Sequence, residues 1–327
     1  QSAMLESQEG CLTPIWKKNQ TQTSHQGTPF TIGLKMTQVK TLIFLLLFLF
    51  NHVFGIERVT PPWGYVFNDW EGHPIDVIVY IPDGADENTK LLIVVPGSSR
   101  DTQRFHASWL SSAKEDTFVV VTIGARIEYY KDEYSYNAGN VIDAFNAKVK
   151  KEKWLFSAVE KIFNSVKNKY GFKAKRFYLF GHSAGGGFVH RYMLFMPSAP
   201  VEKAVAANPA FVTLPDYNID YPFGVKNVLV SDSMIKKWFN SNLAIFLGAY
   251  DTGPRTKLLS NGPMARAQGP NCLSRGRLLY NEAKKEAKKR KTDFNWELEI
   301  VPRVGHNNRL IAPHAKTYLF NNTKLTK

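Results

Sequence analysis

Apolar positions after residue 56 of this chain fall into two alternating patterns. Short runs rich in β-branched residues occur at Asp76–Ile81, Leu91–Val95, Phe118–Ile123, Phe177–Phe180, Ala204–Ala207, Leu243–Leu247 and Glu297–Val301. Most are apolar at nearly every position, the pattern of strands covered on both faces. Between them lie longer segments of helical period. Leu155, Val159, Ile162 and Val166 recur at spacings of three and four within Lys151–Tyr170, and Gly171 stands where a C-cap belongs. Gly276–Lys291 and Leu310–Phe320 read as two further helices, the second with Pro313 in its first turn, where proline is tolerated. The alternation predicts one α/β domain over 56–327, a mostly parallel central sheet with helices on both faces. The stretch 211–239 breaks the pattern and is rich in Pro, Asp and aromatics, which marks it as a small lid or insertion over the sheet.

The first 55 residues follow another logic. Met36 opens Met-Thr-Gln-Val-Lys, and nine apolar residues run from Leu42 to Phe50, with Val53 and Gly55 at −3 and −1 cleavage positions. A basic start, a short apolar stretch and small residues after it make 36–55 a signal peptide. A membrane-spanning helix needs about 20 apolar residues, so no stable membrane anchor is expected, and the protein is expected to be secreted. Residues 1–35 are polar and without period, and read as an upstream or disordered extension.

Composition narrows the classes further. The chain has 327 residues, 44% hydrophobic, with 42 Lys+Arg against 28 Asp+Glu and two cysteines. Such content suits a large core and excludes an intrinsically disordered chain or a disulfide-stapled miniprotein. Removing residues 1–55 leaves +12 of the +14 net charge and Cys272 alone. The basic excess raises nucleic-acid binding as a rival function. Its best segment, Ala283 to Lys291, holds six basic residues and one acid, but Ala283 and Ala287 fall on one face and mark a solvated helix. No nucleic-acid motif accompanies it, so no nucleic acid is expected as partner, whereas attraction to anionic surfaces is. Asn321-Asn322-Thr323 is a glycosylation sequon.

Candidate chemistry concentrates at strand ends. The strand at 177–180 runs into Gly181-His182-Ser183-Ala184-Gly185, and an apolar helix-like segment follows. A serine on a strained strand-to-helix turn needs small neighbours two before and two after, and the following helix aims its positive end at it. Asp251 follows the strand at 243–247, and His306 follows the strand at 297–301. Taken singly, Asp251 could be a turn former and His306 a loop histidine. All three at strand ends in the order Ser183, Asp251, His306 suit a nucleophile, an acid that orients the base, and a base. The turn Pro96-Gly97-Ser98-Ser99-Arg100 after an earlier strand can offer a backbone N–H from Ser98 or Ser99, and Ala184 a second, to an oxyanion.

These motifs, with Gly-Ala-Tyr-Asp-Thr-Gly-Pro at 248–254 and Val-Gly-His-Asn at 304–307, resemble the α/β-hydrolase superfamily, within it the secreted esterases and polyhydroxyalkanoate-depolymerase-like proteins. The resemblance implies an α/β-hydrolase fold and a small-molecule or polymeric ester substrate. Spacing alone implies acyl transfer, so a serine peptidase of the same fold stays open, as does a non-catalytic binding protein. No cofactor is expected. There is no H-E-x-x-H, no cysteine pair and no G-x-x-x-x-G-K-[ST] loop, and His73, His106, His182, His190 and His314 are scattered without ligand spacing, so no metal site is expected either.

Overall fold

A computed structural model of the chain describes residues 63–257 and 259–321. The expected extension at 1–35 and signal peptide at 36–55 lie outside the described residues. Eight strands form one sheet: β1 (Trp63–Phe67), β2 (Ile75–Tyr80), β3 (Leu91–Val95), β4 (Val119–Ala125), β5 (Phe177–His182), β6 (Val201–Ala207), β7 (Leu243–Gly248) and β8 (Glu297–Val301). Their spatial order is β1-β2-β4-β3-β5-β6-β7-β8. β2 runs antiparallel to β1 and β4, and every pairing from β4 to β8 is parallel.

Continuous apolar strands are explained by two cores, one on each face. Along β3, Leu91, Ile93 and Val95 enter one core while Leu92 and Val94 enter the other. The first core packs α3 (Leu155–Tyr170), α4 (Ala184–Phe195), α5 (Asp232–Phe239) and α7 (Cys272–Lys289). The second takes Phe105 of α1 (Thr102–Ala107), Ala113 of α2 (Leu110–Asp116), and Ile311, Ala315 and Tyr318 of α8 (Asn308–Phe320). A mostly parallel sheet with helices on both faces is what the strand–helix alternation predicts, and the architecture is the α/β-hydrolase fold implied by the resemblance. On α7, Ala283 and Ala287 are buried while Lys284, Lys285, Lys288 and Lys289 are exposed. No helix among the described residues is long and apolar enough to cross a membrane.

Two readings change. Pro313 lies inside α8 and not in its first turn: the Asn307 side chain accepts the Leu310 N–H and starts the helix two residues before the expected point. The stretch 211–239 is not one insertion. Its last eight residues are α5, which buries Ile235, Trp238 and Phe239 in the first core as the crossover from β6 to β7. Residues before α5 do leave the sheet. Phe211 and Phe223 pack with Ala265 of α6 (Pro263–Ala267) into a separate small cluster.

Two buried arginines hold this outer layer. Arg191 on α4 is fully enclosed and donates to the Thr213 hydroxyl and to the carbonyls of Asn137, Gly187, Phe211 and Pro222. Its guanidinium also lies 4.5 Å from the Phe211 ring centre. Burial without a carboxylate partner pushes its pKa down to about 10. Arg275 on α7 donates to the carbonyls of Gly269, Ala210 and Ser260.

Candidate active site

Ser183 sits between β5 and α4 in a conformation with φ 62° and ψ −118°, which L-residues rarely adopt. It is held there from both sides: its N–H donates to Ala207 O at 2.9 Å, and its carbonyl accepts from Gly187 N–H at 2.9 Å. The flanking glycines are required by close approach. A Cβ on Gly181 would lie 2.2 Å from Gly185 O, and one on Gly185 would lie 2.1 Å from Val95 O. The helix is thus pressed against the sheet, with the serine at its positive end.

Asp251 and His306 meet because pairing continues past the ends of their strands. Ala249 N–H donates to Val301 O at 2.9 Å, and Tyr250 N–H to Val304 O at 2.8 Å. Those bonds set the two following loops side by side, and Asp251 Oδ2 lies 2.6 Å from His306 Nδ1. Asp251 is 1% exposed, so its carboxylate acts on the ring through little intervening water. With Nδ1–H donating to the carboxylate, Nε2 is left as the acceptor. Ser183 and His306 line one cleft of about 330 Å³. The Ser183 hydroxyl makes no hydrogen bond among the described residues; such bonds commonly close only when substrate arrives.

Of the three candidate oxyanion donors, Ser98 and Ala184 line the cleft. Ser99 is exposed, and its hydroxyl accepts from Arg104 at 3.2 Å. The loop carrying both serines is braced from behind. Arg100 donates to Ser98 O and Tyr130 O and stacks 3.3 Å from the Tyr136 ring centre, while the Tyr136 hydroxyl donates to Pro96 O at 2.6 Å. Asn137, from the same tyrosine-bearing stretch, and Glu133 beside it also reach the cleft.

Other contributors lack an evident sequence signal. Asn208, after β6, is fully buried with φ 43°. Its Oδ1 accepts from Gly248 N–H at 2.8 Å, and its Nδ2 approaches His182 Nε2 at 3.2 Å and Gly305 O at 3.4 Å, so one side chain ties together the ends of three strands. Only the Asn-Pro step ending a strand hinted at it. His182 packs its ring 4.6 Å from that of His306, and burial, with the nearby His306, holds its pKa well below 6.5. Asp251, Cys272 and His306 offer ligand atoms within 4.8 Å of one another. The carboxylate already holds the imidazole, and burial pushes the thiol up to about 12, far from the thiolate a metal needs.

No protein-family profile and no curated protein sequence matches the chain. Solved structures do. The chain is similar to poly(aspartic acid) hydrolase-1 from Sphingomonas sp. KT-1, with 32% identity and a TM-score of 0.77 over 80% of this chain and 98% of that one. It is similar also to a poly(3-hydroxybutyrate) depolymerase from Bordetella parapertussis, at 25% identity and a TM-score of 0.75 over 81% and 90%. A siderophore hydrolase from Aspergillus nidulans, 14% identical with a TM-score of 0.51 over 81% and 97%, shares the fold alone. The first two likenesses each cover about four fifths of this chain, and the chain belongs to the α/β-hydrolases, among those of the esterase and depolymerase type.

Proposed function

We propose that this protein is a secreted serine hydrolase of carboxylic esters, small or polymeric. The carrying observation is the 2.6 Å bond from His306 to a buried Asp251, with His306 and the strained Ser183 facing one cleft. His306 Nε2 takes the Ser183 hydroxyl proton as the oxygen attacks the ester carbonyl. Amide N–H groups of Ala184 and of Ser98 or Ser99 receive the oxyanion. Collapse breaks the bond to the alcohol, which leaves with the proton from His306 and forms an acyl-enzyme. Water, deprotonated by His306, attacks that acyl group and releases the acid and free Ser183. Export rests on the signal-peptide pattern of residues 36–55 and is checked by amino-terminal sequencing of secreted protein.

Ser183→Ala is expected to abolish hydrolysis of short p-nitrophenyl esters while circular dichroism stays unchanged; retained turnover would refute the assignment. A second reading, amide cleavage by the same residues, is favoured by one observation. A relative sharing 32% identity is a hydrolase of poly(aspartic acid), a polymer whose units are joined through amides. Parallel assays on ester and amide substrates separate the two.

A further inference from the structure

Two cations line the cleft without taking part in the proton transfers proposed above. Arg255 and Lys257 line the same cleft as Ser183 and His306. The Arg255 side chain is 19% exposed, and its Nη2 forms an ion pair with Asp251 Oδ1 at 3.5 Å without closing a hydrogen bond; Oδ1 and Arg255 Nε are both enclosed with no hydrogen-bond partner. Nη2 also reaches Gly253 O at 3.3 Å, two residues back along its own loop. A guanidinium carries five N–H donors in a planar fork that fits a carboxylate. Here Nη2 is engaged by Gly253 O and Asp251, while Nη1 makes no hydrogen bond among the described residues. Lys257 is exposed on the same wall and enters no ion pair among the described residues. One carboxylate, Glu133, also faces the cleft, and it accepts the Leu259 N–H at 3.3 Å, which anchors it to the opposite turn.

We infer that Arg255 and Lys257 form a carboxylate-binding subsite, so that the preferred substrates are esters or amides of polyacids: half-esters of dicarboxylic acids, or polymers whose units carry free carboxylates. This rests on the hydrolase reading, since Ser183 supplies the bond cleavage. Arg255 takes the substrate carboxylate in its fork, and Lys257 attracts it at the mouth as a point charge. The net charge, +12 once residues 1–55 are removed, draws such polyanions toward the surface in general; the two side chains select among substrates once there.

The test compares p-nitrophenyl butyrate with mono-(p-nitrophenyl) succinate, which replaces a terminal methyl by a carboxylate. The wild-type ratio of kcat/KM, succinate over butyrate, is expected to be about tenfold or more, from one charge-assisted pair. Arg255→Gln should lower that ratio by about fivefold or more, chiefly through KM, and Arg255→Lys should restore most of it. Lys257→Gln should lower it less, and added salt should erode it. A wild-type ratio near one, or a ratio untouched by Arg255→Gln in protein of native circular dichroism, would overturn the subsite. Should neither ester be turned over, the hydrolase reading fails, and the subsite is read by calorimetric titration of monomethyl succinate into Ser183→Ala protein. Binding lost in Ser183→Ala/Arg255→Gln then supports it, and absence of binding overturns it.

Discussion

Acid should unfold this protein from near pH 6.5 downward, well above the range in which most carboxylates titrate, because three histidines are buried neutral. His106 is 2% exposed, its Nδ1 bonded to the Thr122 hydroxyl at 2.9 Å and its Nε2 enclosed without a partner; burial holds its pKa at about 4. His182 and His190 are held well below 6.5, both chiefly by burial, with the neighbouring His306 and Arg191 respectively further disfavouring a charge on them. His190 donates from Nδ1 to Gly186 O and accepts the Thr213 N–H at Nε2, so both ring nitrogens are engaged only in the neutral form. The folded pKa is depressed in each case. Below about 6.5 the unfolded chain therefore binds protons that the folded chain refuses, and stability falls as pH falls. Each histidine contributes a slope of about 1.4 kcal/mol per pH unit, so the three together give about 4 kcal/mol per unit between pH 6.5 and 5. Against a total of about 5–15 kcal/mol, one to two pH units should remove much of the fold's margin. The assay is urea unfolding followed by circular dichroism at half-unit steps from pH 7.5 to 4.5. His190→Gln, which keeps a donor and an acceptor but cannot ionise, should lower the slope by about a third. A urea midpoint constant between pH 7 and 5, or a slope unchanged in His190→Gln, would refute the reasoning.

Two further substitutions probe how the site is supported. Gly185→Ala places a methyl 2.1 Å from Val95 O and 2.7 Å from Pro96 O, both backbone, so α4 must move off the sheet. Loss of esterase activity with a cost of about 1–3 kcal/mol is expected, read by turnover and melting temperature, and an active variant of unchanged stability contradicts the packing argument. Arg191→Met strips the Thr213 hydroxyl and four carbonyls of their shared donor and should cost about 3–6 kcal/mol. Proteolysis between 211 and 231, faster in the variant before global melting, is the accompanying sign.

Elements that depend on local pattern were legible in the sequence. β3 and β8 have the bounds expected, since an apolar run ended by proline leaves little freedom, and Gly171 ends α3 with φ 76°. The placement of Ser183, Asp251 and His306 at strand ends was legible, because that position is fixed by the alternation itself. β1 was not expected: Trp-Gly-Tyr-Val-Phe is short, and its strand character comes from antiparallel pairing with β2. α1 and α2 are too brief to show a period. Arg191 and Arg255 carry no local signature and Asn208 little beyond its Asn-Pro step, because their roles consist in reaching groups that only the folded chain brings near.

The partners of Ser183 do not share its footing. Ser183 follows β5, which has neighbours on both sides, whereas His306 follows β8, which among the described residues borders only β7 and keeps four of its five residues half-buried. An edge strand can detach while the middle of the sheet stays intact. Under the proposed mechanism, catalytic competence has a lower threshold than the fold: a brief peeling of β8 would separate His306 from Asp251 and silence the enzyme while its spectrum remains native. Amide exchange in 297–301 should therefore track heat inactivation more closely than exchange in β3 or β5.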